Sequence, residues 1–437
     1  MNRWRPSDAG TRCGWIDHAI ILLSIVCLGG MISAVLGSQP IGEAGAADID
    51  KISEAGNATK QIILLCIYGA NLMLLVWRFG PAALRFVGLP LLTLSAWCFV
   101  SMAWSPMPDA TLRRAVATFG PVIVGTLAGL HFDERQLARM LQVAAGLTIV
   151  GSLIYAALLP SLAFDIHGQL RGLSAHKNEL GSFMVICALP IAFRIMLDEP
   201  PRLPHLAVLI GCAACFVLSR SATPIVSGAT AIIVLSVGYL FQKSAGFVQS
   251  VVPGLVCVVA ATAIVFGSDI VAIGAELLGR DGSFSGRTNI WDFVIGMIGE
   301  RPWLGYGYGI FWLGLDAPGA VFWHWTKQFE LHAHDGYLQL ILDTGFVGLL
   351  LFAAGVATLI GRTAILARAG AWNLATFIAM FLAYYLVASV SESVLWQPNG
   401  LLVAIFAWMS VRANLQTSRS PAAAHLSPNR QAAFAAA

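Results

Sequence analysis

Apolar residues along this chain fall into long runs separated by shorter polar stretches. A run of about 20 apolar residues can cross the hydrocarbon core of a bilayer as a helix. Each crossing segment must be helical, because an open strand edge in hydrocarbon would leave backbone groups unpaired. The pattern predicts an all-α, polytopic integral membrane protein with about twelve transmembrane helices, at residues 16–36, 61–79, 86–104, 115–130, 137–159, 178–197, 204–219, 222–241, 248–267, 336–360, 372–391 and 400–413.

Composition and charge support this fold class and give it an orientation. Hydrophobic residues make up 57% of the chain and charged residues only 11%, against about 25% charged in soluble domains. With the N-terminus inside, the inner loops hold most of the basic residues, as the positive-inside rule expects. We therefore predict a cytoplasmic N-terminus at 1–15, nine spans within 16–267, three within 336–415, and a disordered cytoplasmic tail at 416–437. The net charge of +3 gives no indication of nucleic-acid binding.

The segment 268–335 is the longest connection, and the predicted topology places it on the periplasmic side. A loop of this length is usually functional or disordered. Its many tryptophan, tyrosine and phenylalanine residues favour a folded element at the membrane interface. Ile290, Phe293, Val294 and Met297 recur at helical spacing, which predicts an amphipathic helix over 288–299.

The stretch His332-Ala-His334-Asp335 closes this loop at the start of a predicted span. Histidine changes charge most readily near neutral pH, so His334 at a membrane mouth is a candidate proton acceptor. The alternative is an interfacial histidine at a helix start that Asp335 caps.

Two outer arginines are candidates for binding a phosphate group. The guanidinium of Arg287, just before the amphipathic helix, and that of Arg220, in a short turn between spans, would match phosphate oxygens. Arg287 could instead anchor a lipid headgroup, and Arg220 could snorkel to the interface. Together with a histidine, they suggest a diphosphate site beside a base.

Further polar residues lie on two other outer loops. One loop carries Arg171, His176, Lys177 and Asn178, and a helix cap with interfacial charges is the simpler interpretation of it. The last outer loop carries Glu392, which could equally be a solvated carboxylate.

Taken in order, these motifs resemble the superfamily of O-antigen ligases and Wzy-type polysaccharide polymerases. The resemblance covers about 170–350. It rests on Gly172-Leu-x-x-His176-Lys-Asn-x-x-Gly181, Ser219-Arg220, Gly286-Arg287-x-x-x-Trp291, Pro302-x-x-Gly305-x-Gly307, and His334 followed by Gly345-x-x-Gly348. Asp335 stands where the ligases usually have Asn, Ser or Gln. The His-Lys-Asn form of the first motif is closer to the exopolysaccharide polymerase branch.

The resemblance implies a membrane glycosyltransferase of GT-C-like fold that needs no metal or other cofactor. Such enzymes transfer a glycan from an undecaprenyl diphosphate carrier to a glycan acceptor at the outer face of the bacterial inner membrane. It implies that His334 acts as general base, that Arg220 and Arg287 bind the diphosphate, and that the partners are membrane lipids, a flippase and a chain-length regulator. The residues it leaves in substrate-binding or supporting roles are His332, Asp335, His176, Lys177, Asn178, Arg171, Trp291 and Glu392.

Three alternatives remain at this stage. An O-antigen ligase would move the glycan to lipid A core, and a transporter or flippase for the same lipid-linked glycan would share the composition. A metal site could use His332, His334, Asp335 and His324, although the i, i+2 spacing of the histidines differs from the i, i+4 spacing of helical zinc sites.

Overall fold

The computed structural model describes residues 14–31, 33, 58–165, 167–197, 200–221, 223–243, 287–326 and 330–419. In chain order the α-helices are α1 (Trp15–Leu28), α2 (Ala58–Phe79), α3 (Leu89–Val100), α4 (Pro108–His131), α5 (Glu134–Leu158), α6 (Pro160–Ala163), α7 (Lys177–Leu197), α8 (Leu203–Ser219), α9 (Thr223–Lys243), α10 (Arg287–Glu300), α11 (Ala320–Thr326), α12 (Gly336–Arg368), α13 (Trp372–Ser391) and α14 (Leu401–Arg419). Short 3₁₀ helices cover Pro81–Val87 and Ser101–Ala103.

Six of these helices, α2, α5, α7, α9, α12 and α13, are long and apolar enough to cross a membrane. The predicted helical membrane protein is therefore confirmed. The number of spans stays a prediction, because the segment 248–267 lies outside the described residues. α1 and α8 are apolar but shorter.

Two elements differ in detail from the predicted bounds. The predicted span 86–104 corresponds to Leu89–Ala103, which meets the preceding Pro81–Val87 at an angle of 107°. The bend lies at Gly88, whose φ of 96° favours glycine. α14 continues to Arg419, so residues 416–419 are helical, and the rest of the predicted tail lies outside the described residues.

Close helix packing in the bundle depends on small residues. In α4, a Cβ on Gly125 would lie 2.1 Å from the carbonyl oxygen of Ala404 in α14, and one on Gly129 would lie 2.8 Å from Val411 Cβ. Glycine at these positions lets the two backbones approach, as in other membrane helix pairs.

The segment 287–326 contributes most of a second hydrophobic cluster, which also includes Ala110, Ala333, Ile341 and Leu342. Ile290 and Val294 on α10 are buried against Phe311 and Phe322 from the following loop and α11. The predicted helix at 288–299 is present as α10, one residue longer at each end. Tyr306, Phe311, Trp312, Phe322 and Trp323 of this segment thus pack together, whereas Trp303 and Trp325 are exposed.

α12 is broken at Gly345, where φ is 68° and ψ is −176°. The loop 302–309 lies against this break. The amide N–H of Phe346 donates to the carbonyl oxygen of Pro302 at 2.8 Å. A Cβ on Gly345 would lie 2.0 Å from the carbonyl oxygen of Trp303. Glycine at 345 is therefore required both by its backbone conformation and by the contact with the loop.

The carbonyl groups that the break leaves free accept hydrogen bonds from the same loop. The amide of Tyr306 donates to Leu342 O at 2.8 Å, and that of Gly307 donates to Asp343 O at 3.2 Å. A Cβ on Gly305 would lie 2.6 Å from Leu342 O. The Gly305-x-Gly307 and Gly345 motifs are distant in the sequence, yet they are two sides of one contact that holds the start of α12 in place.

Candidate active site

Five stretches of the chain meet at one end of the bundle, and each carries a residue that the sequence singled out. They are the start of α7, the turn after α8, the start of α10, the loop before α12 and the end of α13. Their polar side chains include Asn178, Arg287, His332, His334 and Glu392. Loops that the sequence predicts to share one side of the membrane are thus brought together.

His334 is held by Glu330, a residue that the sequence analysis missed. Its Nε2 lies 3.0 Å from Glu330 Oε2. Because a carboxylate only accepts, this contact places the imidazole proton on Nε2. Nδ1 is buried and has no hydrogen-bond partner among the described residues. The arrangement leaves a basic lone pair in the site, on a residue whose φ of 53° is rare outside glycine.

His332 lies directly beside His334, with ring centroids 4.0 Å apart. Its Nδ1 accepts the backbone N–H of His334 at 3.2 Å. Burial, and then the electrostatic effect of the neighbouring His334, Arg287 and His176, lower the pKa of His332 to about 3. His332 is therefore a neutral imidazole at physiological pH, and its Nε2 carries the proton.

Arg287 begins α10 and joins it to the end of α13. Its Nη1 donates to the carbonyl oxygen of Ser391 at 3.2 Å, and the residue is half-buried. One nitrogen of the guanidinium is thereby fixed, and this sets the direction in which its other N–H groups point. Its charge is close enough to His332 to affect the pKa of that imidazole.

Asn178 joins two of the other stretches. Its Nδ2 donates to Glu392 Oε1 at 3.2 Å, and its Oδ1 accepts from the hydroxyl of Ser221 at 3.1 Å. Arg220, the residue before Ser221, is exposed and has a left-handed φ of 48°. The turn that carries Arg220 is therefore tied to the cluster through its neighbour.

His176 and Lys177, at the start of α7, contact nearby residues of the same loop and helix. His176 Nδ1 accepts the N–H of Asn178 at 3.2 Å, and burial and then Lys177 lower the pKa of His176. Lys177 donates to Gln169 and lies 3.9 Å from the carboxylate of Asp165. These contacts order the loop in front of α7 and give both residues a supporting position.

Three further candidates form hydrogen bonds from their side chains to backbone groups. Buried Arg171 donates from Nε to the carbonyl oxygen of Leu162 at 2.7 Å. Asp335 accepts the N–H of Leu338 at 2.8 Å, so it is the N-cap of α12. Trp291 donates to the carbonyl oxygen of Ala333 at 3.0 Å, between the two histidines.

Gln339 is a second residue that the sequence analysis missed. Its Oε1 accepts from the N–H of Ala333 at 3.0 Å and from Trp312 Nε1 at 3.1 Å. Its Nε2 donates to the buried Asp343 at 3.1 Å. Together with Trp291, it fixes both backbone groups of Ala333 and so the loop that presents His334. A glutamine in the first turn of an apolar helix is the only signal of this role in the sequence.

One group of side chains in the described part of the chain has the donors and spacing to bind a metal ion. A ring nitrogen of His332, a ring nitrogen of His334 and a carboxylate oxygen of Glu392 lie within 4.8 Å of one another. The alternative metal site weighed from the sequence used a different set, with Asp335 and His324 in place of Glu392. Asp335 caps α12, and His324 is exposed on α11. Glu392 takes their place because the end of α13 packs beside the histidines.

Part of the chain is similar to known proteins. Residues 206–353 match the family model described as O-antigen ligase. The chain is 26% identical over 319 residues to the exopolysaccharide production protein ExoQ of Rhizobium meliloti (strain 1021), which covers 68% of this chain and 70% of that protein. The resemblance to the O-antigen ligase and ExoQ-like superfamily is confirmed. A candidate polysaccharide ligase of Rickettsia felis is 22% identical over 349 residues, covering 74% of this chain and 80% of that protein.

The part that matches the O-antigen ligase model contains Arg220, Arg287 and His334. Asn178 precedes this part, and Glu392 follows it. The superfamily match therefore covers the proposed base and both arginines, whereas two residues that complete the cluster in space lie outside the matched stretch.

Proposed function

We propose that this protein is a membrane glycosyltransferase that polymerises oligosaccharide repeat units carried on undecaprenyl diphosphate. The observation that carries the proposal is the pairing of His334 with Glu330, which leaves a buried basic nitrogen in the same cluster as the guanidinium of Arg287. This provides a base for an attacking hydroxyl close to a cation for a leaving phosphate.

The reaction follows from these two groups. An acceptor sugar hydroxyl gives its proton to Nδ1 of His334 as its oxygen bonds to the anomeric carbon of the donor glycan. The bond from that carbon to the diphosphate oxygen breaks, and the carrier diphosphate leaves with the bonding electrons. Arg287 and Arg220 stabilise its charge as fixed cations. General-base catalysis of this kind contributes typically about 10²- to 10⁴-fold. A direct displacement inverts the anomeric configuration.

The cellular setting follows from the same proposal. The protein lies in the bacterial inner membrane with about twelve spans, and its site faces the periplasm, where a flippase delivers the donor and a chain-length regulator acts on the product. The similarity to ExoQ, whose name refers to exopolysaccharide production, favours the polymerase over other members of the superfamily.

An O-antigen ligase is the second candidate, because the matching family model carries that description and the Rickettsia felis relative is named as a ligase. The two functions differ in the product that accumulates without the enzyme. Loss of a polymerase leaves single repeat units, whereas loss of a ligase leaves long polymer on its carrier.

The test is complementation of a deletion strain of the source bacterium, with the polymer resolved by length on a gel. We expect His334→Ala and Arg287→Lys to reach the membrane at normal levels and to yield only single repeat units. The matched control is His324→Ala, which removes an exposed histidine of the same segment. Full-length polymer from His334→Ala would refute the role of this residue as base. Carrier-linked long polymer in the deletion strain would identify a ligase.

A further inference from the structure

His332, His334 and Glu392 bring together two imidazoles and a carboxylate from two separate segments of the chain. We propose that these three side chains form a binding site for a divalent transition-metal ion such as Zn²⁺, and that the bound ion inhibits glycosyl transfer. The inhibitory part rests on the proposed function, because the ion would occupy the nitrogen that serves as base. The binding part does not depend on it.

The donor set suits zinc. Two histidines with one glutamate are the protein ligands of several zinc sites that keep an open fourth position. Zn–N and Zn–O distances of about 2.0–2.2 Å put tetrahedral ligand atoms about 3.4 Å apart. The three ligand atoms here lie within 4.8 Å of one another on half-buried side chains. Small side-chain rotations that draw these three atoms closer together would therefore complete the site.

Hydrogen bonds to the ligands provide the second observation. Histidines that bind metals usually donate their other ring N–H to a carboxylate, and such partners tune metal affinity. His334 has this partner in Glu330, at 3.0 Å from Nε2, while its buried Nδ1 has no hydrogen-bond partner among the described residues. Asn178 orients Glu392 in the same way, by donating to Oε1 at 3.2 Å.

One hydrogen bond of His332 would be given up on metal binding. Binding through Nε2 would move the ring proton to Nδ1 and so break the 3.2 Å hydrogen bond from the backbone N–H of His334. The free energy lost is on the order of that of one neutral hydrogen bond, and the metal–nitrogen bond that forms outweighs it.

A nearby cation opposes a metal ion here, since the charge of Arg287 acts on the His332 imidazole. The opposing charge gives the proposal a distinctive consequence. Replacing Arg287 with glutamine should tighten Zn²⁺ binding while it weakens transfer. A site that had only a general structural role would not show this opposite pair of changes.

Binding is tested on the purified full-length protein in detergent, without a histidine tag, by Zn²⁺ titration against a chromophoric chelator. We expect one equivalent bound by the wild type and at least 100-fold weaker binding by His332→Ala and Glu392→Gln. Glu330→Gln should weaken binding by about 10- to 100-fold, because it removes a partner of a ligand. His324→Ala, the matched control, should bind like the wild type.

A second measurement examines the coordination of the ion in the wild type. Co²⁺ bound to the wild type should show the visible absorption of a four-coordinate ion, and Zn²⁺ should displace it. A Co²⁺ spectrum of the hydrated ion would overturn the site. Equal Zn²⁺ affinity and stoichiometry in the wild type, His332→Ala and Glu392→Gln, measured by the titration above, would also overturn it.

Activity is measured separately, as polymer formed by membranes with added donor. We expect a chelator to leave transfer unchanged, and Zn²⁺ at the concentration that saturates binding to reduce it at least tenfold and reversibly. Zn²⁺ that binds without reducing transfer would overturn the inhibition. Loss of transfer in His334→Ala without zinc binding in the wild type would overturn the metal site and leave the proposed function intact.

Discussion

Gly345→Ala is expected to destabilise this protein strongly. The added Cβ would lie 2.0 Å from the carbonyl oxygen of Trp303 and 2.5 Å from the amide nitrogen of Leu304. Both are backbone atoms, so no side chain can rotate away. Alanine is also strained at φ 68° and ψ −176°, at a cost of about 1–3 kcal/mol.

The chain can relieve the clash only by moving the loop 302–309 away from the break. That movement gives up the hydrogen bonds from Phe346 N to Pro302 O, from Tyr306 N to Leu342 O and from Gly307 N to Asp343 O. At about 1 kcal/mol each, their loss costs about 3 kcal/mol, and buried groups left unpaired add to it. We expect a total destabilisation of about 4 kcal/mol or more.

The assay is the thermal unfolding midpoint of the detergent-solubilised protein, with polymer production measured in parallel. The matched control is Gly361→Ala in the same helix, where a Cβ would meet nothing within 4 Å. Alanine there should be neutral or stabilise by up to about 1 kcal/mol, because it favours the helix. Equal midpoints for the two variants would refute the account of the break.

Two predictions concern the residues that hold His334. Glu330→Gln should reduce transfer by about 10- to 100-fold at unchanged membrane expression, because an amide no longer fixes the proton on Nε2; wild-type rates in a purified assay would contradict this. Gln339→Leu should lower the turnover number about tenfold with little change in KM, because it leaves the N–H of Ala333 and the indole of Trp312 without their acceptor; a change in KM alone would mean that Gln339 contacts substrate instead.

Local patterns in the sequence predicted the helices well, since length and apolarity are properties of each segment by itself. The N-cap role of Asp335 belongs to this class, because the cap and its acceptor lie within one turn. The break in α12 could not be predicted from a local pattern. Gly345 lies in an apolar run that has the pattern of a continuous helix, and the loop that makes the break stable comes from an earlier part of the chain.

The site was predictable only in part for a similar reason. The motifs marked His334 and Arg287 as candidates, and the fold brings both into one cluster. No local pattern pairs His334 with Glu330, whose sequence context resembles any polar loop. The place of Glu392 beside His332 depends on the packing of α13 against the loop before α12, and sequence spacing carries no information on that contact.

The hydrogen bond between Asn178 and Glu392 joins residues 214 positions apart, and the one between Arg287 and Ser391 joins residues 104 apart. During synthesis at about 5–20 residues per second, Glu392 follows Asn178 by roughly 10 to 40 s. Throughout that interval the nascent chain adds further helices but lacks one side of the cluster. The cluster can therefore be complete only after residue 392 has been synthesised, and a chain truncated before that residue is expected to lack the contacts of Asn178 with Glu392 and of Arg287 with Ser391.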